Sequence, residues 1–408
     1  MVYKFGQLFE IIDGDRGKNY PGDSDFFDEG YCLFLNAGNV TKSGWSFESN
    51  AFIAKEKDEQ LRKGRVNRGD TVFTTRGTVG NAAYYGDKVP FDNIRINSGM
   101  VILRPKDEAI VDNEFIYYLV TSPLAKKTIE LYCSGSAQPQ LPIKDFVKIK
   151  YDLPSIAKQR QIVSVLNSFD NLIEVNNKRI KVLEQMAENL YKEWFVRFRF
   201  PGHESVPFEN GLPKGWKIKR VDAIGEVIGG GTPSTNVDSF WDGTIPWLTP
   251  ADLSNTNRIL IRRGSTNISS EGLKRSGATM MPPDTVLVSS RAPVGYLAIA
   301  ANPICTNQGF KSIVCFEGKT SPYYLFFFLR SNREMLQNYA TGATFPELSG
   351  NRMKKIKILV PDYQIQHRFE TIAKGIICEM DKLEEANDLL KHQRDLLLPR
   401  LMSGKLEV

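Results

Sequence analysis

Two stretches of the chain place apolar residues alternately four and three positions apart. In the first, Ile162, Leu166, Phe169, Ile173, Asn176, Ile180, Leu183, Ala187, Leu190 and Trp194 keep this spacing, and only Asn176 is polar. The second is the first displaced by 207 positions: Phe369, Ala373, Ile376, Met380, Leu383, Asn387, Leu390, Arg394, Leu397 and Leu401, with Asn387 and Arg394 polar. Spacing sustained over more than four heptads predicts two long helices that pack as a coiled coil. Arg199-Phe200-Pro201-Gly202 predicts the end of the first helix, and Pro399 predicts a stop or kink in the second.

The segments before these helices repeat as well. Gly69-Asp70-Thr71-Val72-Phe73-Thr74-Thr75-Arg76-Gly77-Thr78-Val79-Gly80 returns as Pro283-Asp284-Thr285-Val286-Leu287-Val288-Ser289-Ser290-Arg291-Ala292-Pro293-Val294-Gly295. Asn97-Ser98-Gly99-Met100 returns as Asn307-Gln308-Gly309-Phe310, and Gly135 to Leu141 returns as Gly342 to Leu348. Gln159 and Gln366 keep the same offset, as do Leu153-Pro154 and Val360-Pro361. Short apolar runs predict strands at 70–75, 100–103 and 147–151, then at 285–288, 312–316 and 356–360. An aromatic helix is expected near 114–132 and again near 323–339. The chain is a tandem duplication of a mixed α/β (α+β) domain, each copy followed by a long helix. The expected boundaries are 1–153 and 201–360 for the two domains, 154–200 for the central helix and 361–408 for the C-terminal helix and tail.

Composition narrows the function. The 408 residues hold 53 basic and 47 acidic side chains, a balance of +6 that permits an anionic partner without demanding one. Five cysteines without close pairing argue against a disulfide scaffold and predict a cytoplasmic location. The opening MVYKFGQLFE is too polar for a signal peptide, and no apolar run approaches the roughly 18 residues of a membrane span. Three scattered histidines give no compact metal site, and no Walker-type phosphate loop occurs. Asn302-Pro303-Ile304-Cys305 lacks the second proline and the aromatic ring of a base-gripping loop. Asp284 with Glu317 and Lys319 imitates a metal-dependent nuclease site. The corresponding segment of the first half, Leu103-Arg104-Pro105-Lys106, lacks that arrangement, so strand ends followed by turns explain both copies.

On these residues the sequence resembles the specificity (DNA-recognition) subunit of type I restriction-modification systems. The resemblance runs over nearly the whole chain. It rests on Leu212-Pro213-Lys214-Gly215-Trp216, on Gly230-Gly231-Thr232-Pro233-Ser234, and on the Asp-Thr-Val…Arg-x-x-Val-Gly and Gly-x-x-x-Pro segments of both halves. The closing Leu398-Pro399-Arg400-Leu401-Met402-Ser403-Gly404-Lys405-Leu406 adds to it. The first half departs from the usual opening: it begins directly at Lys4-Phe5-Gly6-Gln7-Leu8 and carries Asp13-Gly14-Asp15-Arg16-Gly17-Lys18. The resemblance implies two target-recognition domains, each reading half of a bipartite, asymmetric double-stranded DNA target. The two helices would pair antiparallel with pseudo-twofold symmetry. It also implies two methyltransferase subunits that bind S-adenosylmethionine, and two motor-nuclease subunits that use ATP and magnesium. This chain itself would be non-catalytic and hold no cofactor or metal. Two alternatives are a coiled-coil scaffold that never touches DNA and the nuclease just described.

A helix rising about 1.5 Å per residue covers about 48 Å between Ile162 and Trp194, which can span one turn of B-DNA, roughly 34 Å. Phosphate contacts call for Lys and Arg, and base reading for Arg, Lys, Asn, Gln or hydroxyls on loops. The candidates are Arg16, Lys18, Lys42, Arg76 and Arg95 in the first domain. In the second they are Thr232, Ser234, Lys274, Arg275, Arg291 and Lys311. Asn176 and Asn387 are expected to face each other in the helix pair and to set its register, because a shifted register would bury an unpaired amide.

Overall fold

The computed structural model describes residues 1–135, 139–291, 293–342 and 346–406. The centres of both Gly-x-x-x-Pro segments, and Ala292 beside Arg291, lie outside the described residues. Two compact units form: Met1–Ile173 with Leu389–Val408, and Glu174–Asp388. Each takes in one head and half of each long helix.

The first head is built on a sheet ordered Phe9–Asp13, Met100–Pro105, Thr71–Thr74, Ala82–Tyr84, antiparallel throughout. Side chains alternate between its faces. Phe73, Val101 and Leu103 join Phe115, Ile116 and Leu119 on one side. Val72, Met100 and Ile102 join Ile94 and Ile96 on the other. Both faces are therefore buried, which is why these strands read as continuous apolar runs. Full burial of each such side chain contributes about 1.5–3 kcal/mol. A second sheet, ordered Phe52–Ile53, Cys32–Phe34, Ile94–Arg95, Arg65–Val66, supports the far side. Val2–Lys4 pairs antiparallel with Lys150–Asp152, immediately before the long helix.

The second head repeats the plan. Gly225–Gly229, Lys311–Cys315, Val286–Val288 and Leu297–Ala300 follow the same order, with Leu260–Ile261 added in parallel at the edge. Lys217–Arg220 pairs with Lys357–Val360 as Val2–Lys4 does with Lys150–Asp152. A three-stranded sheet of Thr266–Ile268, Trp241–Leu248 and Cys305–Thr306 flanks it.

The aromatic helices differ from expectation, since each is broken in two: Asn113–Thr121 with Pro123–Glu130, and Pro322–Ser331 with Arg333–Tyr339. Pro123 cannot donate into a continuing helix, and it holds Ser122 in extended backbone. The Ser122 hydroxyl then caps the new helix by accepting from the Ala125 amide at 3.2 Å.

The long helices run Ile156–Tyr191, closed by a wider turn at Lys192–Val196, and Tyr363–Met402. The second passes through Pro399 instead of stopping before it. Leu398, Leu401 and Met402 are buried in the first head's core, and their packing holds the last turn despite the missing hydrogen bond. In the first unit Ile162, Val163 and Leu166 share that core with them. In the second, Ala187 and Tyr191 pack with Phe369, Ala373, Ile377 and Met380. Early residues of one helix meet late residues of the other, so the pair is antiparallel. All twenty seam positions are buried or half-buried.

Gln159 and Gln366, both fully buried, fasten each helix to its head. Gln159 accepts from the Asp112 amide at 2.9 Å and donates to the Ile110 and Pro154 carbonyls, each at 2.9 Å. Gln366 accepts from the Ser321 amide at 3.0 Å and the Thr320 hydroxyl at 2.9 Å, and donates to the Pro361 carbonyl at 2.8 Å. A buried amide with donor and acceptor both satisfied explains why the two glutamines recur at one offset.

Candidate nucleic-acid interface

In each head four loop segments are knotted together at one end of the main sheet, and three of them are held by the same bonds in both copies. The strand ending at Thr74 turns through Arg76 and returns at Gly80, whose amide donates to the Thr74 carbonyl at 3.1 Å. Gly295 does the same to Ser289 at 3.0 Å. Both glycines have φ near +90°, at 94° and 93°, a region that L side chains rarely adopt. The Thr75 amide donates to the Gly99 carbonyl at 2.8 Å, and Ser290 to Gly309 at 2.7 Å. Leu141 and Leu348 donate to the carbonyls of Thr75 and Ser290, each at 2.9 Å. Within the second segment, Asn97 accepts from the Gly99 amide and Asn307 from the Gly309 amide, both at 2.8 Å.

A third strand, Phe9–Asp13 or Gly225–Gly229, delivers the remaining segment. It passes so near the asparagine turn that a methyl group at Gly14 would lie 2.3 Å from the Asn97 carbonyl oxygen. The same change at Gly230 would bring it to 2.1 Å from Asn307. Only glycine permits this approach. The loop beyond Gly14 is tied by Asp15, which accepts from the Gly17 amide at 2.9 Å and the Arg62 amide at 2.8 Å. Those amides hold its carboxyl below the usual carboxylate range. Beyond Gly230 the ties are indoles: Trp247 donates to the Gly231 carbonyl at 2.9 Å and Trp241 to Ser234 at 3.0 Å.

The candidates from the sequence fall into three groups. Arg16 and Arg76 in the first head, and Thr232, Arg291 and Lys311 in the second, converge on this knot. The Arg16 guanidinium donates to the Ser98 carbonyl at 3.2 Å and to Asp13 at 3.1 Å. Arg76 is exposed on the tip of its turn. Thr232 bonds the Gln308 side chain. Lys311 donates to the Gln308 and Phe310 carbonyls, each at 3.2 Å. Burial draws the Lys311 ammonium below its ordinary pKa; Glu347 acts against the shift and Arg291 adds to it.

Lys18 and Ser234 lie exposed on the loops that follow the knot, Lys42 beside the Val40–Thr41 and Gly44–Trp45 hairpin, and Lys274 and Arg275 at a short helix end. Arg95 stands apart and is withdrawn as a candidate. It is 5% exposed, is paired with the fully buried Asp58, and donates to the Lys63 and Asp58 carbonyls at 2.7 Å and to Leu61 at 3.1 Å. A guanidinium so occupied braces the head from inside.

Three residues at the knot escaped the sequence reading. Ser98 and Gln308 stand at equivalent places in the Asn-x-Gly turns, and that repetition was the available signal. Arg333 lies over the Tyr296 ring at 5.1 Å, beside Gly295, and its helical setting gave no hint.

The nuclease-like trio does not assemble. Asp284 accepts from the Tyr323 hydroxyl at 3.3 Å and pairs with Lys374 at 3.2 Å, while Glu317 and Lys319 are exposed on the following turn. Its counterpart Asp70 is fully engaged with Arg104, with two bonds of 2.8 Å. Among the described residues no three His, Cys, Asp or Glu side chains cluster as metal ligands, and no helix is long and apolar enough to cross a membrane.

A duplicated α/β head, each copy carrying a basic turn clamped by the same bonds, defines a tandem recognition protein. The family described as type I restriction modification DNA specificity domain matches residues 1–185 and again 213–395, and the chain belongs to that family. It is 38% identical over 199 residues to the type I restriction enzyme MjaIX specificity subunit of Methanocaldococcus jannaschii, covering 48% of this chain and 46% of that one. With the HindI specificity subunit of Haemophilus influenzae it is 22% identical over 96% of this chain and 98% of the relative. The fold is similar to the crystal structure of a type I restriction-modification S subunit from M. genitalium, with a TM-score of 0.63 at 15% identity, over 98% of this chain and 95% of that one.

Proposed function

We propose that this chain is the DNA-reading subunit of a type I restriction-modification enzyme, each head recognising one part of a bipartite, asymmetric duplex target. The observation that carries this reading is the double family match, one over each head, with an equivalent Arg76 or Arg291 turn inside each. The knot offers cations and hydroxyls beside backbone hydrogen bonds that recur in both heads, as phosphate and base contacts require. Catalysis belongs to partners: two methyltransferase subunits carrying S-adenosylmethionine, and two motor-nuclease subunits using ATP and magnesium, in the cytoplasm. The chain's own part is to bind, orient and select. Arg16, Arg76, Arg291 and Lys311 neutralise phosphates near the knot, with Lys18, Lys42, Lys274, Arg275, Thr232 and Ser234 around it.

The test is duplex DNA binding by the chain with its methyltransferase over a range of salt. Affinity falls steeply with salt, because each neutralised phosphate releases counterions. Changing Arg76 and Arg291 to Ala together lowers affinity and flattens the slope by about 2 in log–log terms. Salt-independent binding, or binding unaltered by both changes, would contradict the reading.

A further inference from the structure

The asparagines of the helix pair meet. Asn176 Nδ2 donates to Asn387 Oδ1 at 2.9 Å, and Asn387 Nδ2 donates to Asn177 Oδ1 at 2.9 Å. Asn387 is 4% exposed, Asn176 half-buried and Asn177 exposed, and all three belong to the second unit. Ile180, Leu183, Met380 and Leu383 continue the seam beside them. Asn177 was not foreseen, because it stands one position off the seam.

The placement of these amides discriminates between partners. With Asn176 facing Asn387, antiparallel register puts Ile180 opposite Leu383. The seam from Ile162 to Trp194 is symmetric about its own midpoint, and so is the seam from Phe369 to Leu401. Either helix can therefore lie against a second copy of itself with every seam position facing another seam position. In such a pair Asn176 would face Ile180 of the other copy, twice over, and Asn387 would face Leu383, twice over. Only the pairing of the first helix with the second brings amide to amide. We propose that Asn176, Asn177 and Asn387 are identity tags that make the two helices of one chain choose each other over the same helix of a second copy. A duplicated chain needs such a device, because its two seams share one spacing and, Arg394 apart, are otherwise apolar throughout. The inference stands independently of what the heads bind.

The full chain tests it through a relocation cycle, read by thermal midpoint and by mass in solution across concentrations. N176I with I180N moves one tag to face Leu383, leaving that amide unpaired and Asn387 with Asn177 as its one remaining partner of the two. The midpoint should fall by roughly 5 °C or more. Adding N387L with L383N re-matches the tags one step along the seam and should restore both midpoint and monomeric mass. N176I with N387L removes the seam tags altogether, and this chain should show dimers at concentrations where the wild type is monomeric. An unchanged midpoint in the first variant, a failure of the second pair to restore it (including failure to fold), or a tag-free chain that stays monomeric would each overturn the proposal.

Discussion

The two heads share one loop knot and one buried glutamine that ties head to helix, but their other fastenings use different chemistry. In the first head the repeated Asp-Thr-Val aspartate, Asp70, is 1% exposed and turns inward, gripping Arg104 on the neighbouring strand and accepting from the Asn67 amide at 2.7 Å. In the second, Asp284 has a left-handed φ of 61° and reaches the long helix at Lys374. The helix contacts diverge too. The first head uses the Tyr118 hydroxyl on Asn167 and Asp170, at 2.7 and 2.6 Å. The second uses arginines: Arg262 on Asp381 at 2.6 Å, Arg258 on Asp388 at 2.5 Å, and Arg330 on Glu188 at 3.1 Å. Backbone hydrogen bonds in the knot are indifferent to side-chain identity, so they survive duplication unchanged. The glutamines apart, the fastenings depend on particular side chains, and each copy has its own.

The largest effect should come from exchanging a whole head. Replacing residues from about 212 to 353 with the second head of another family member should change one half of the methylated DNA motif and leave the other intact. A change in both halves together would break the comparison, since it would mean the copies do not read independently.

Next in size is the contrast between the aspartates. Asp70→Asn strips a buried charge partner from Arg104 and should cost about 2–4 kcal/mol in urea unfolding. Asp284→Asn, at an ion pair with both side chains more than 40% exposed, should cost no more than about 1 kcal/mol. Equal losses would show that the fastenings are not as different as their burial indicates.

The smallest effect concerns Glu384, beside Arg258 and among Asp381 and Asp388. Burial pushes its carboxyl up to about 7 from the ordinary 4.5; Arg258 opposes the shift, and the neighbouring acids add to it. A raised carboxyl pKa means the folded chain holds this proton where the unfolded chain has released it. Its contribution is full below about pH 4.5 and is lost as pH rises through 7. Glu384→Gln should therefore raise the thermal midpoint at pH 8 and leave it unchanged at pH 4. A gain equal at both values would assign the effect to packing. The first head carries its own raised carboxyl, Glu114, pushed up by burial, with Asn167 opposing the shift and Asp112 and Asp170 adding to it.

Much of this was legible in the chain. The duplication, both seams, the paired glutamines and five of the six strands follow from pattern, because period and offset survive in the sequence; the sixth, expected at 147–151, runs Lys150–Asp152, after a turn at Val147 and Lys148. Arg95 shows the limit. A basic residue on a loop-like stretch looks the same whether it faces solvent or Asp58, and only the fold distinguishes them. The breaks at Ser122-Pro123 and at Asn332 were hidden inside apolar runs long enough for one helix. Pro399 does not stop its helix, because burial of Leu401 and Met402 outweighs one lost hydrogen bond. Ser98 and Gln308 sat inside a recognised repeat but gained meaning only when Arg16 and Thr232 were found against them.

The central claim is that this chain chooses the DNA sequence on which its partners act. Methylome sequencing of a host that keeps the methyltransferase, with and without this chain, tests that most directly. The account predicts one bipartite, asymmetric adenine-methylated motif that disappears when the chain is removed. A methylation pattern identical in both strains would contradict it.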